Sequence, residues 1–254
     1  MEAAIAISLK NISKTFRIHT SDANTIRERL TNIILRKSSN YKLLKALYDI
    51  NVDIYKGESF GIIGNNGSGK STLLNIMMET YNPDKGGILE TNGKMMRLAL
   101  GMGIDPNLTA RDNIYVNGSI IGLSFKKIGI IFEHIIEFAG LQKFIDVQVK
   151  FYSKGMRQRL MFSIAMYADA EIFLLDEFFG GTGDQEFKAK SDKAFETRLV
   201  NGKTNIIVSH SMQIIRKHCK RALWLENGKI IKIGDAIAVT DEYLKSQNKS
   251  QNKS

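Results

Sequence analysis

The run Gly64-Asn65-Asn66-Gly67-Ser68-Gly69-Lys70-Ser71-Thr72 constrains the fold of this chain more than any other feature. Ahead of it, Ser59 to Gly64 reads as a short apolar strand, and behind it a helical pattern begins near Lys70. Strand, glycine-rich loop and helix in that order make a mononucleotide-binding unit, which commits the chain to α/β architecture. The glycines let backbone N–H groups converge on phosphate, and the helix start adds the positive end of its dipole. Lys70 is placed to reach β- and γ-oxygens, and Ser71 to offer a hydroxyl to Mg²⁺.

Two further stretches supply chemistry of their own. Ile172-Phe173-Leu174-Leu175-Asp176-Glu177 ends a buried strand in two carboxylates, at the edge where open α/β sheets bind ligands. Asp176 is expected in a Mg²⁺ shell, with Glu177 orienting or deprotonating an attacking water. Tyr152-Ser153-Lys154-Gly155-Met156-Arg157-Gln158-Arg159 precedes a helix. There, the Ser153 hydroxyl and the N–H groups around Gly155 form a second helix start suited to an anion.

The rest of the chain places these motifs. Ile5 to Phe16 reads as an edge strand and turn, and Tyr48 to Tyr55 as a strand of alternating apolar positions. Between them Thr25 and Glu28 have capping-box spacing, and Ile26, Leu30, Ile33 and Ile34 share a face. Arg27, Arg29, Arg36 and Lys37 fall mostly elsewhere, so a short basic amphipathic helix is expected. From about 107 to 167 the pattern is helical, an inserted subdomain, and Asn205 to Ser209 is another buried strand. The closing SQNKSQNKS repeat has no apolar anchor, and residues 245–254 are expected to form a disordered tail.

Composition narrows the class. With 254 residues, 43% of them hydrophobic, the chain can bury one large core with an inserted subdomain. No apolar run reaches the eighteen residues of a transmembrane helix, and Ala3 to Ile7 is too short for a signal peptide, so a soluble, unprocessed chain is expected. The single cysteine, Cys219, excludes an intramolecular disulfide and a multi-cysteine metal site. A net charge of +10 attracts nucleic acid, anionic lipid or phosphate. The basic clusters lack interleaved aromatics, and no nucleic acid partner is expected.

The Tyr152 to Arg159 segment resembles the signature motif of ABC (ATP-binding cassette) proteins, with Lys154 and Met156 in place of the usual glycine and glutamine. The resemblance implies a P-loop ABC ATPase core over residues 1–244. That core combines a mainly parallel sheet, an antiparallel β subdomain and an inserted helical subdomain, with ATP and Mg²⁺ as cofactors. His210, after Ile206-Ile207-Val208-Ser209, resembles the switch histidine, and Asp184 resembles the aspartate that touches a partner subunit. Phe16 is the first candidate for stacking on adenine, with Tyr41 and Tyr48 as alternatives. A glutamine expected before the helical insert is missing from Gly101 to Thr109.

The Tyr-Ser-x-Gly-Met wording, together with Leu108-Thr109-Ala110-Arg111-Asp112-Asn113-Ile114 and Cys219-Lys220-Arg221-Ala222-Leu223-Trp224-Leu225, is similar to ATP-binding subunits of O-antigen and capsular polysaccharide exporters. That likeness implies a homodimer beneath a pair of polytopic membrane permease subunits, peripheral to the cytoplasmic face of a bacterial inner membrane. Its implied cargo is a lipid-linked polysaccharide. The alternatives are another transported cargo, or a non-transport ABC ATPase acting on nucleic acid or ribosomes.

Overall fold

The computed structural model describes residues 4–19, 41–99, 103–177, 185–197 and 202–251. Among these residues two sheets form. The first is antiparallel, in the order β2-β1-β4, from β1 (Ile5–His19), β2 (Tyr41–Tyr55) and β4 (Ile88–Thr91). The second has the order β5-β6-β7-β3-β8-β9. It comprises β3 (Ser59–Ile63), β5 (Met95–Ala99), β6 (Ile172–Asp176), β7 (Thr204–Val208), β8 (Arg221–Glu226) and β9 (Lys229–Asp235). Its pairs are parallel except β8 with β9.

β6 is apolar up to Asp176 and β7 is apolar after Thr204 and Asn205, and both are buried along nearly their whole length, as strands covered on both faces must be. Alternation divides β6 between two cores. Ile172 and Leu174 join Leu73, Leu74 and Met77 of α1 (Lys70–Met77) on one face. Phe173 and Leu175 join, on the other, residues of α4 (Lys154–Ala165), α5 (Gln185–Phe195), α6 (Met212–His218) and α7 (Ala236–Gln251). Each such side chain contributes roughly 1.5–3 kcal/mol on burial. A third core gathers Ile114 of α2 (Ala110–Ile120), Ile128, Phe132 and Ile135 of α3 (Phe125–Ala139), and Leu160 and Ile164 of α4. Thr109 starts α2 with a capping box to Asp112, and Gly140 closes α3 in the left-handed conformation.

Three expectations are corrected. β1 is the central strand of its sheet, because Ile7 to Lys10 also pair with β4, a strand of four residues too short to show a period. β2 starts at Tyr41, seven residues before the expected Tyr48, and pairs as far as His19. Residues 245–251 continue α7 instead of starting a disordered tail. Ala236, Val239, Thr240 and Tyr243 are buried and anchor the first turns, and the polar repeat that follows holds no glycine or proline to stop propagation. The basic helix read at 26–37 lies outside the described residues.

The topology assembles the site. Parallel register sets Asp176 beside Val208, and Val208 beside Ile62, so the loops after β3, β6 and β7 leave the sheet together at one edge.

Candidate nucleotide site

The loop after β3 turns into α1 at Gly69, whose φ of 107° only glycine adopts without strain. A Cβ there would lie 2.8 Å from Leu47 Cδ2 and 2.9 Å from the Ala46 carbonyl. No side chain caps α1 and its first turn holds no acid, so its first N–H groups face an incoming anion bare. Ser68 Oγ is buried without a hydrogen-bond partner. Lys70 is buried, and its Nζ donates to the carbonyls of Gly64 at 2.6 Å and Asn65 at 3.0 Å. Burial holds the Lys70 ammonium below its ordinary pKa, against the opposing pull of Glu177 and then Asp176.

Glu177 adopts a left-handed backbone, φ 48°, rare for a residue with a side chain. The turn is held from β7: Glu177 N donates to the Val208 carbonyl at 3.0 Å, and His210 N donates to Glu177 Oε1 at 2.9 Å. His210 Nε2 stands 3.8 Å from the same oxygen. Burial pushes the Glu177 carboxyl above its ordinary pKa, opposed mainly by His210. Asp176 Oδ2 is paired with Arg97 Nη2, and Arg97 Nη1 donates to Asn75 Oδ1 at 2.9 Å.

One cleft of about 550 Å³ is lined by Phe16, Asn66, Gly67, Gly69, Lys70, Ser71, Thr72, Asp176, Glu177 and His210. Phe16 is half-buried and meets Tyr81 edge to face at 5.4 Å between centroids. Tyr48 also lines the cleft, beneath Lys45 at 4.8 Å and Lys229 at 5.3 Å, whereas Tyr41 does not. Gly64, Asn65 and Ser68 belong to the same loop but do not line the cleft. Ser153 and Gly155 are not brought here. Ser153 caps α4 instead, its Oγ accepting from Met156 N at 3.2 Å. Asp184 lies outside the described residues. Cys219 is buried, its thiol pushed up to about 12 by burial.

Sequence reasoning missed four contributing residues. Asn227 and Gly228 turn β8 into β9 and line the cleft, Gly228 N donating to the Ser68 carbonyl and Tyr48 N to the Gly228 carbonyl. Their Asn-Gly dipeptide is a strong hairpin signal that could have found them. Tyr243 Oη donates to Asn65 Oδ1 at 2.8 Å, a contact across 178 residues that no local pattern announces. Arg97 stands alone among Met95, Met96, Leu98 and Ala99, and a lone cation in an apolar strand demands a partner.

The donor set suits Mg²⁺. Ser71 and Asp176 present hard oxygens to one cleft, and Asp176 Oδ1 has no hydrogen-bond partner among the described residues.

The family model described as ABC transporter matches residues 47–180, from β2 to just beyond the two acids, which makes the chain an ATP-hydrolysing cassette. With more than half of its length matched, the chain belongs to the ABC transporter family. It is 37% identical over 247 residues to the O-antigen export system ATP-binding protein RfbB of Myxococcus xanthus, covering 95% of this chain and 56% of that protein. It is 34% identical to the teichoic acids export ATP-binding protein TagH of Listeria innocua, over 98% of this chain and 73% of the relative. Against the O-antigen export system ATP-binding protein RfbB of Klebsiella pneumoniae the identity is 33%, over 93% of this chain and 96% of the relative. The chain thus spans little more than half of the first of these relatives. Its fold is that of the dimeric ATP-binding cassette MJ0796 in a post-hydrolysis state with ADP and Pi, at TM-score 0.67 and 21% identity, covering 91% of this chain and 98% of that one.

Proposed function

We propose that this chain is the ATP-binding subunit of an exporter of lipid-linked polysaccharide, acting as a homodimer under a pair of polytopic membrane subunits. It would work at the cytoplasmic face of a bacterial inner membrane. The observation that carries the cargo is that relatives named for O-antigen export and for teichoic acids export each align over more than nine-tenths of this chain. No helix among the described residues is long and apolar enough to cross a membrane.

In this reading Phe16 or Tyr48 stacks on adenine, while Gly64 to Thr72 and the Lys70 cation hold the phosphates. Ser71 and Asp176 hold Mg²⁺, which when bound neutralises charge on the phosphate oxygens. Glu177 takes the proton of the attacking water, its raised pKa bringing it nearer the working range of a base. His210, tied to Glu177 through its own N–H, orients the water and γ-phosphate. Ser153 and Gly155 lie off their own chain's cleft, and a head-to-tail copy would place them over the partner's ATP.

Deletion of the gene in its own host tests the cargo. Surface polysaccharide should fall and lipid-linked polymer accumulate on the cytoplasmic side, both restored by the wild-type chain and not by Glu177→Gln. Unchanged surface polysaccharide would reject the export reading.

A further inference from the structure

Arg97 carries a charge into β5, a strand paired with β6 from Met95 opposite Ile172 to Ala99 opposite Asp176. Its side chain is 25% exposed and that of Asp176 is 19% exposed, so the pair is largely withdrawn from water. The two guanidinium nitrogens do not share one carboxylate. Nη2 grips Asp176 Oδ2, while Nη1 donates to Asn75 Oδ1 at 2.9 Å. Asn75 stands on α1, five residues after Lys70, on the same helix as Ser71. The remaining donor, Nε, is buried without an acceptor.

That arrangement is costly if its purpose is only to neutralise an acid, because a buried pair seldom stabilises a fold more than apolar residues of similar volume. It does accomplish something else. A guanidinium is planar and rigid, so a fork spanning two elements fixes their relative position. Here one end is the carboxylate at the tip of β6, and the other is the helix that presents Ser71.

We propose that Arg97 is a positioning residue for the Mg²⁺ shell: by holding Asp176 Oδ2 and Asn75 together, it sets the Asp176 carboxylate at a fixed distance from Ser71 and leaves Oδ1 for the ion and its water. The inference rests on the reading of Ser71 and Asp176 as the metal side of the site. It also gives β5, whose following loop offers no glutamine between Gly103 and Thr109, a direct mechanical tie to that shell.

Two substitutions keep the local charge and remove the geometry. Arg97→Lys leaves a point charge that reaches one partner at a time, and Asn75→Ala leaves the guanidinium but takes its second anchor. With the full-length chain and ATP, Mn²⁺ affinity read by electron paramagnetic resonance should fall about tenfold in Arg97→Lys, in the range usual for outer partners of metal ligands. In Asn75→Ala it should fall in the same direction by less. ATP affinity in EDTA should stay at the wild-type value in both, a split that a merely structural pair would not produce. Asp176→Asn serves as the control. If it loses Mn²⁺ affinity while Arg97→Lys and Asn75→Ala keep the wild-type value, the positioning role is overturned. If Asp176→Asn itself binds Mn²⁺ normally, the metal-side reading fails and takes the inference with it. Should Arg97→Lys fail to fold, Asn75→Ala decides alone, since it touches neither the strand nor the carboxylate.

Discussion

Glu177 and Lys70 face the same cleft with opposite electrostatic histories. Burial disfavours charge on both, lifting the carboxyl and lowering the ammonium. Glu177→Gln keeps an oxygen that can accept from His210 N, so we expect ATP to stay bound while turnover is lost, read by nucleotide retention and phosphate release. Lys70→Ala removes the cation itself and should weaken ATP binding about tenfold or more, the scale of a hydrogen bond to a charged group. Equal loss of affinity in both would reverse the assignment. The pH dependence follows from the sign of the Glu177 shift. A carboxyl whose folded pKa is raised above 4.5 penalises the folded state when ionised, and the penalty lifts as pH falls through the raised value. The thermal midpoint of Glu177→Gln should therefore equal or exceed wild type at neutral pH, with the difference vanishing below 4.5. Turnover of the wild type should decline over that same acid window as the base is protonated.

At the scale of elements, α4 poses a question that one side chain can answer. Ser153 caps the helix through Met156 N, and losing such a cap to alanine costs about 1 kcal/mol, whereas glycine costs only a few tenths. If the hydroxyl also touches the ATP of a second copy, Ser153→Gly and Ser153→Ala should both lose turnover although only the second loses stability. Activity that tracks the melting temperature would leave Ser153 as a cap alone. The β8–β9 hairpin shows another kind of dependence, in which an element far along the chain builds the phosphate loop. Gly228 ties to Ser68 on one side and to Tyr48 on the other, so a turn made by Asn227 and Gly228 forms a wall of the cleft.

For the whole molecule, the cleft is lined by residues of the P-loop and by the two acids but not by Ser153 or Gly155, and under the proposed reading a second copy completes the site. Mixing a chain carrying Lys70→Ala with one carrying Ser153→Ala should restore one composite site per mixed dimer. ATPase activity of the mixture should then rise above that of either parent, towards about a quarter of wild type for random pairing with one good site of two. Activity no higher than either parent would place Ser153 outside the partner's site.

What the sequence determined by itself is the part that chemistry keeps contiguous. A phosphate cradle needs neighbouring backbone N–H groups and a helix start, so Gly64 to Thr72 had to be legible as a run. Asp176 and Glu177, proposed as metal-side acid and base, stand at the end of a buried strand, the sheet edge where such groups are expected. The architecture was legible for the same reason, because apolar strands such as Ile172 to Leu175 fit only a sheet covered on both faces. Tertiary structure decided everything that depends on partners distant in sequence. β1 became a central strand because four residues at Ile88–Thr91 pair with it, and α7 ran on through Gln251 because its first turns are anchored in the core. Phe16 and Tyr48 reached one cleft while Tyr41 did not, and Arg97 found Asp176 across 79 residues. Local patterns record what a segment can form alone; which segments meet is set by sheet order and core packing, and these are properties of the folded chain.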